Sequence, residues 1–480
     1  MGLGDADLLD YLRCARRLYL NRWGDRQQAE APNAYLQRLR RLALERRREV
    51  AAEWQAIAVD PSDRAASTLD LMAQGVDCIE GGRLQVDPHW ADPDLLVRQP
   101  GQSIWGDWIY QPVAVKLAKK PKTEYLLQLA FQAELLTSIQ GVWPEQGWLL
   151  LRDCHPKAYN LDLRRSQLQE HLAACAPILQ NQQEPELFIS RSRCDLCVWQ
   201  TDCRDRARDQ VHLSLLPGVS PSRFAILRDL KLDQLEALAT ADPQSLAIAA
   251  DWELGLAQRL VQQAAVFLSQ QPQPLQTYAF PDSDVEFFFD IEAQPDLDLC
   301  YLHGVLIRDR RQPDSQFRPL LAEQPDQEAD VWQRLLQLLD RHPQAPVYHF
   351  CSFEVDSLRR LGQRYGCSTR RLEALLTRFI DIHAVLTRSV LLPTESYALK
   401  SIARWLGFDW RDTEANGSQA ILWYDYWLET GDRTWLDRIL LYNEDDCRAT
   451  AIVKDWLAEF LREPCLTGVA AVDEEQPLRH

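Results

Sequence analysis

The stretch Val285-Glu-Phe-Phe-Phe-Asp-Ile-Glu292 decides how the chain is read. Its aromatic centre has the length and composition of a buried strand, yet two acids close it. Side chains alternate along a strand, so Asp290 and Glu292 point to the same face. An isolated carboxylate in such a place costs several kcal/mol unless it is paired, neutralised or bound to a metal. Taken alone, the pair is equally a strand running out into a solvated turn. Only partners from elsewhere in the chain overturn that reading.

Partners follow in order. Leu299 to Ile307 reads as an antiparallel neighbour, Asp330 to Leu339 as a helix, and Pro346-Val-Tyr-His-Phe350 as a further strand. That strand runs into Cys351-Ser-Phe-Glu354 and an amphipathic helix through Tyr365, which puts Glu354 at a helix N-terminus, where an acid suits the helix dipole. Farther on, Ile439-Leu-Leu-Tyr442-Asn-Glu-Asp-Asp446-Cys lies in a helix reaching about Leu461. Tyr442 and Asp446 are four apart and share a face, while Asn443, Glu444 and Asp445 read as solvated.

Together Asp290, Glu292, Glu354, Tyr442 and Asp446 resemble the pattern of a DEDD-type, DnaQ-like exonuclease of the RNase H fold, in the variant with Tyr-x-x-x-Asp as last motif. Phe287-Phe-Phe-Asp-Ile-Glu292, Tyr348-His-Phe-Cys-Ser-Phe-Glu354, Ser396-Tyr-Ala-Leu-Lys400 and Tyr442-Asn-Glu-Asp-Asp-Cys447 resemble the YprB-type RNase H-like domain over roughly residues 285–462. The resemblance implies 3'-to-5' exonuclease action, with Glu354 standing where the wider superfamily has Asp. Hydrolysis of phosphodiesters by two divalent cations needs three or four carboxylates, and an all-oxygen shell suits Mg²⁺ or Mn²⁺. On that chemistry Asp290 bridges both ions, Glu292 and Asp446 complete one shell, Glu354 serves the other, and Tyr442 orients water.

Ahead of this region, three cysteines fall within ten residues, Cys194-Asp-Leu-Cys197-Val-Trp-Gln-Thr-Asp-Cys203, and Cys14 is the natural fourth donor. Zinc and a 4Fe-4S cluster both accept four thiolates. Between them lie a long Arg-rich helix ending at Glu53, short strands at Leu84 to Val86, Asp94 to Val97 and Trp108 to Lys116, a helix from Glu124 to Ile139, and a strand at Gly147 to Leu151. Residues 1 to about 205 resemble RecB-like nucleases, in which an iron-sulfur cluster staples a PD-(D/E)XK domain. That resemblance makes Asp94 a metal-ligand candidate and Lys116 and Gln128 its companions, but Ala114 stands where the second acid belongs. The site reads as degraded and binding-only, with Glu49, Asp92 and Asp107 as possible substitutes. After it, Leu215-Leu-Pro-Gly218-Val-Ser-Pro to Leu238 resembles a helix-hairpin-helix, whose Gly218 would let backbone N–H groups reach a phosphate; a plain helical hairpin fits as well.

The whole is expected to be multidomain α/β: residues 1–210 PD-(D/E)XK-like with the cluster, 211–268 helical, 269–277 a polar linker, 278–465 an RNase H-like mixed sheet, and 466–480 a tail. A length of 480 residues calls for two or three cores. No stretch approaches the twenty apolar residues of a membrane span and the N-terminus lacks a secretion signal, so a cytoplasmic protein is expected and twelve cysteines are core residues or metal ligands. A net charge of −17 argues against coating nucleic acid with the whole surface. Local basic runs remain, six arginines between Arg38 and Arg48 and lysines 116, 119, 120 and 122, both read as helical and either one simply a solvated face. The leading expectation is a DNA nuclease cutting at the C-terminal acids, with a non-catalytic nucleic-acid-binding scaffold and an RNA exonuclease as alternatives.

Overall fold

Residues 2–152 and 155–462 are described by the computed structural model, and the chain divides into two units, Met1–Asp209 and Gln210–His480. The expected tail at 466–480 lies outside the described residues.

The first unit is built on strands β1 (Ile57–Ala58), β2 (Cys78–Glu80), β3 (Leu84–Val86), β4 (His89–Ala91), β5 (Leu95–Ser103), β6 (Gly106–Val115), β7 (Gln146–Leu150) and β8 (Lys157–Asn160). Six of them form one sheet in the order β1-β2-β5-β6-β7-β8, while β3 and β4 pair separately. The β5–β6 hairpin outgrows the expected strands: its outer half is half-exposed, with alternating burial along β5, so no continuous apolar run marks it. The helix Thr123–Gln140, buried along most of its length, packs on β6 and β7. Asn33 caps the arginine-rich helix Ala34–Glu53 by accepting from the Leu36 N–H. Lysines 119, 120 and 122 lie on the turn between β6 and the Thr123–Gln140 helix rather than on a helix. The opening segment breaks at Cys14, whose backbone is extended between helices Asp5–Arg13 and Ala15–Trp23.

The second unit begins with helices that include Pro221–Asp229, Leu235–Ala239, Pro243–Ala250 and Leu254–Ser269. The linker expected at 269–277 contains a short strand, β9 (Gln273–Pro274). Five strands then form the main sheet: β10 (Val285–Gln294), β11 (Leu299–Asp309), β12 (Gln316–Leu321), β13 (Val347–His349) and β14 (Phe379–Asp381). A short β15 (Val390–Leu391) pairs with β9, so the segment is tied down at that point. The main sheet runs β12-β11-β10-β13-β14, with β11 antiparallel to both neighbours and β13 parallel to β10 and β14. It is the mixed sheet expected, with β10 at its centre. The Phe287-Phe-Phe run is fully buried in the largest core, beside Trp332, Tyr348 and Leu358. The helix Arg433–Phe460, capped by Asp432, packs across β10 and β11 and carries its buried face to the acids.

Candidate active site

Alternation along β10 turns Asp290 and Glu292 to one face, and an irregularity in the β11 pairing falls directly after Glu292. The Arg433–Phe460 helix brings Asp446 to the same place. One carboxylate oxygen from each of Asp290, Glu292 and Asp446 lies within 4.8 Å of the others, the only such group of potential metal ligands among the described residues. Glu292 and Asp446 are buried and Asp290 is partly open.

Three acids this close repel one another. Burial first, and the Asp446 charge next, push Asp290 and Glu292 well above the usual carboxylate range. Burial also lifts Asp446, to about 7, against the hydrogen bonds from Trp410 and Tyr442 that favour its charged form. Such a trio is what a divalent cation neutralises, and the donor set is all oxygen. The residues present therefore fit Mg²⁺ or Mn²⁺.

Glu354 sits where the sequence places it, second residue of the helix Phe353–Arg364 that follows β13, and it is buried. It stands outside the close trio, its Oε2 lying 3.4 Å from Nδ1 of buried His349, although its charge bears on both Asp290 and Glu292. Burial raises its pKa, and His349 opposes the rise. Tyr442 is buried one turn before Asp446; its own pKa is raised well above normal by burial and then by Asp446, so the phenol stays protonated.

Several neighbours escape a sequence reading. Asn443, expected to be solvated, is fully buried and donates its amide to Asp290 Oδ2 at 2.6 Å. Gly304, paired with Asp290 across β10 and β11, makes room for it: a Cβ there would lie 1.6 Å from Asn443 Oδ1. A glycine inside a strand is a signal of close approach, and the only one the sequence offered for this contact. Asp445 is also buried, not solvated, because Arg411 donates its backbone N–H and its guanidinium to it at 2.9 and 2.7 Å. That clamp fixes the irregular loop from which Trp410 Nε1 donates to Asp446 Oδ1 at 2.7 Å. Lys400, in the helix Leu399–Trp405, places its ammonium over the rings of Trp410 and Tyr442.

The first unit arranges its candidates differently. Asp94 accepts from the Val115 N–H at 2.8 Å and pairs with Lys116 at 3.3 Å and Arg47 at 3.1 Å. Three donors thus satisfy the carboxylate. Gln128 is elsewhere: with Gln132 it donates to buried Asp5, at 3.0 and 2.7 Å. The substitutes weighed for Ala114 are engaged as well, Glu49 with Arg46, Asp92 with Arg64 and Arg83, and Asp107 with Gln102. Among the described residues no trio of acids gathers at Asp94.

The break at Cys14 turns that residue toward the later cysteines. Cys194 and Cys197 each sense the Cys14 charge and Cys203 senses Cys197, while burial raises all three, Cys203 to about 11. Hydrogen bonds tie the two ends of the unit around them, from Trp199 Nε1 to Asn21 at 2.8 Å and from the Glu30 N–H to Val198 at 2.7 Å. No three of these thiols lie within 4.8 Å of one another. In the second unit Gly218 takes a φ of +92° in an exposed turn ahead of the Pro221–Asp229 helix, and its carbonyl accepts from Arg223.

Among the described residues, no helix is long and apolar enough to cross a membrane. Comparison with curated proteins finds no match. The RNase_H_2 family model, of the RNase_H superfamily, matches residues 287–458, a span that opens in β10 and closes in the helix bearing Tyr442 and Asp446. The C-terminal part of this chain thus carries an RNase H-like domain.

Proposed function

We propose that the second unit is a metal-dependent nuclease that hydrolyses DNA phosphodiesters at Asp290, Glu292, Glu354 and Asp446, as a 3'-to-5' exonuclease. One observation carries the reading: three carboxylates converge within 4.8 Å, held against their own repulsion in an RNase H-like domain. Two Mg²⁺ or Mn²⁺ ions would supply the positive charge that stabilises attacking and leaving oxygens in an in-line displacement. Asp290, Glu292 and Asp446 would hold them, with Glu354 reaching in from the Phe353–Arg364 helix. Asn443 fixes the Asp290 carboxylate and Trp410 the Asp446 carboxylate, so two ligands are oriented before any ion arrives. Tyr442, kept protonated, presents a hydroxyl that orients the attacking water.

The first unit, in this reading, binds DNA without cutting it. Asp94 is already neutralised by Arg47 and Lys116, and Ala114 supplies no second acid. The arginines of the Ala34–Glu53 helix and the lysines ahead of Thr123 would meet the phosphate backbone locally, as the net charge of −17 requires, and in the second unit the Gly218 turn would offer a phosphate contact of its own. Cys14, Cys194, Cys197 and Cys203 would hold a 4Fe-4S cluster as a structural staple. Zinc, which also accepts four thiolates, is the alternative occupant. Anaerobically purified protein should then be brown and carry about four irons per chain; a colourless zinc protein would correct the cofactor.

The test of function is end-labelled DNA and RNA, single-stranded and duplex, offered side by side with Mg²⁺ or Mn²⁺. Release of mononucleotides from 3' ends of DNA is expected. Preference for RNA would move the substrate, and tight binding without turnover under any divalent cation would replace the nuclease by a scaffold.

A further inference from the structure

The acid site contains a cation of its own. Lys400 lies at the start of the Leu399–Trp405 helix, its Nζ 5.2 Å from the centroid of the Trp410 ring and 5.0 Å from that of Tyr442. These are the two side chains that flank Asp446, one through its indole N–H and the other one helical turn away. The ammonium donates to the carbonyl oxygen of Ala415, and among the described residues it makes no ion pair. A carbonyl and two π faces hold an ammonium in place without consuming its charge. One of its three N–H donors is used, which leaves two. Its field reaches the ligand set, favouring the ionised forms of Asp446 and Glu292.

A lysine in this position works against the site's first task. A fixed positive charge beside carboxylates repels the divalent cation they are to hold, so metal binding alone would be better served by a neutral residue. The charge becomes useful once an anionic phosphodiester enters, because negative charge then grows on the reacting group and a preorganised cation stabilises it. We propose that Lys400 is a catalytic cation of the acid site, meeting the scissile phosphate from the Trp410–Tyr442 side with its two remaining N–H donors. This rests on the nuclease reading of that site.

The proposal predicts that two quantities move in opposite directions. In the full-length protein, Lys400→Met should bind Mn²⁺ more tightly, by about tenfold, measured calorimetrically without nucleic acid. The same variant should cleave DNA more slowly in single turnover at saturating metal, by about a hundredfold. Lys400→Arg, which keeps the charge, should retain wild-type Mn²⁺ affinity and recover most of the rate. A residue that only packs would weaken metal binding, rate and melting temperature together, and that pattern in K400M overturns the proposal. So does an Arg variant as slow as the Met variant, or a Met variant unchanged in both affinity and rate. Asp446→Asn run alongside separates the two claims: if it still cuts, the nuclease reading fails, whereas an inactive D446N beside a fully active K400M removes only the role of Lys400.

Discussion

Replacing Asp446 with Asn should stabilise the metal-free protein while abolishing its activity. Asn is close to isosteric, and its Oδ1 can still accept from Trp410 Nε1, so the main change is loss of a buried negative charge beside Asp290 and Glu292. Burial raises the Asp446 pKa from 3.8 to about 7. The folded protein therefore binds this proton more tightly than the unfolded chain, and the acid costs nothing below about pH 4. Between roughly pH 4 and 7 the wild type loses stability as the unfolded chain ionises first; above pH 7 the loss is complete, on the order of 4 kcal/mol. The Asn variant escapes that loss. Urea unfolding in EDTA, followed at pH 4.5 and pH 8, should give curves for the second unit that differ by only about 1 kcal/mol at the lower pH and by about 4 kcal/mol at the higher, with Asn the more stable. Saturating Mg²⁺ should close the gap at pH 8 by binding only the wild-type acids. An Asn variant that is equally or less stable at pH 8 without metal would refute the claim that the trio is held under mutual repulsion.

Gly304→Ala should displace Asn443, since its Cβ would fall 1.6 Å from Asn443 Oδ1; DNA cleavage should drop by at least about a hundredfold, checked by single-turnover kinetics. Trp410→Phe keeps the ring beside Lys400 but removes the hydrogen bond to Asp446, and a rate loss of about tenfold, about 1.4 kcal/mol, is expected at saturating Mg²⁺. Asp94→Asn removes the charge partner of Arg47 and Lys116 and should destabilise the first unit by on the order of 2 kcal/mol in urea unfolding, with turnover number unchanged. A loss of turnover in that variant would return a catalytic role to the first unit.

The parts of this site that were legible in the sequence are those carried by a period. The alternation of β10 predicted that Asp290 and Glu292 share a face, and the strand appears as Val285–Gln294 with the expected antiparallel neighbour. Helical spacing placed Tyr442 and Asp446 together, and the junction after β13 placed Glu354 at a helix start. What escaped depends on tertiary contacts. Asn443 and Asp445 look solvated because polar residues in series usually are, but sheet and loop cover this helix on more than one side. Trp410 stands in an aperiodic loop fixed by Arg411, and although the resemblance marked the stretch ending at Lys400, no spacing revealed that its ammonium lies over Trp410 and Tyr442. The edge strands β12 and β14 were missed as well; both are short and only partly buried, so no apolar run marks them. In the first unit the motif resemblance placed Lys116 with Asp94, but it did not foresee Arg47 as the second cation or Asp5 as the partner of Gln128.

The central claim is tested most directly by the rate of Mg²⁺-dependent degradation of end-labelled DNA by the wild type, Asp290→Ala and Asp446→Ala, purified identically and matched for folding by circular dichroism. The account predicts cutting by the wild type and, in each variant, a fall of at least about a thousandfold, with DNA still bound through the basic surfaces. Unchanged cutting by either variant would contradict it.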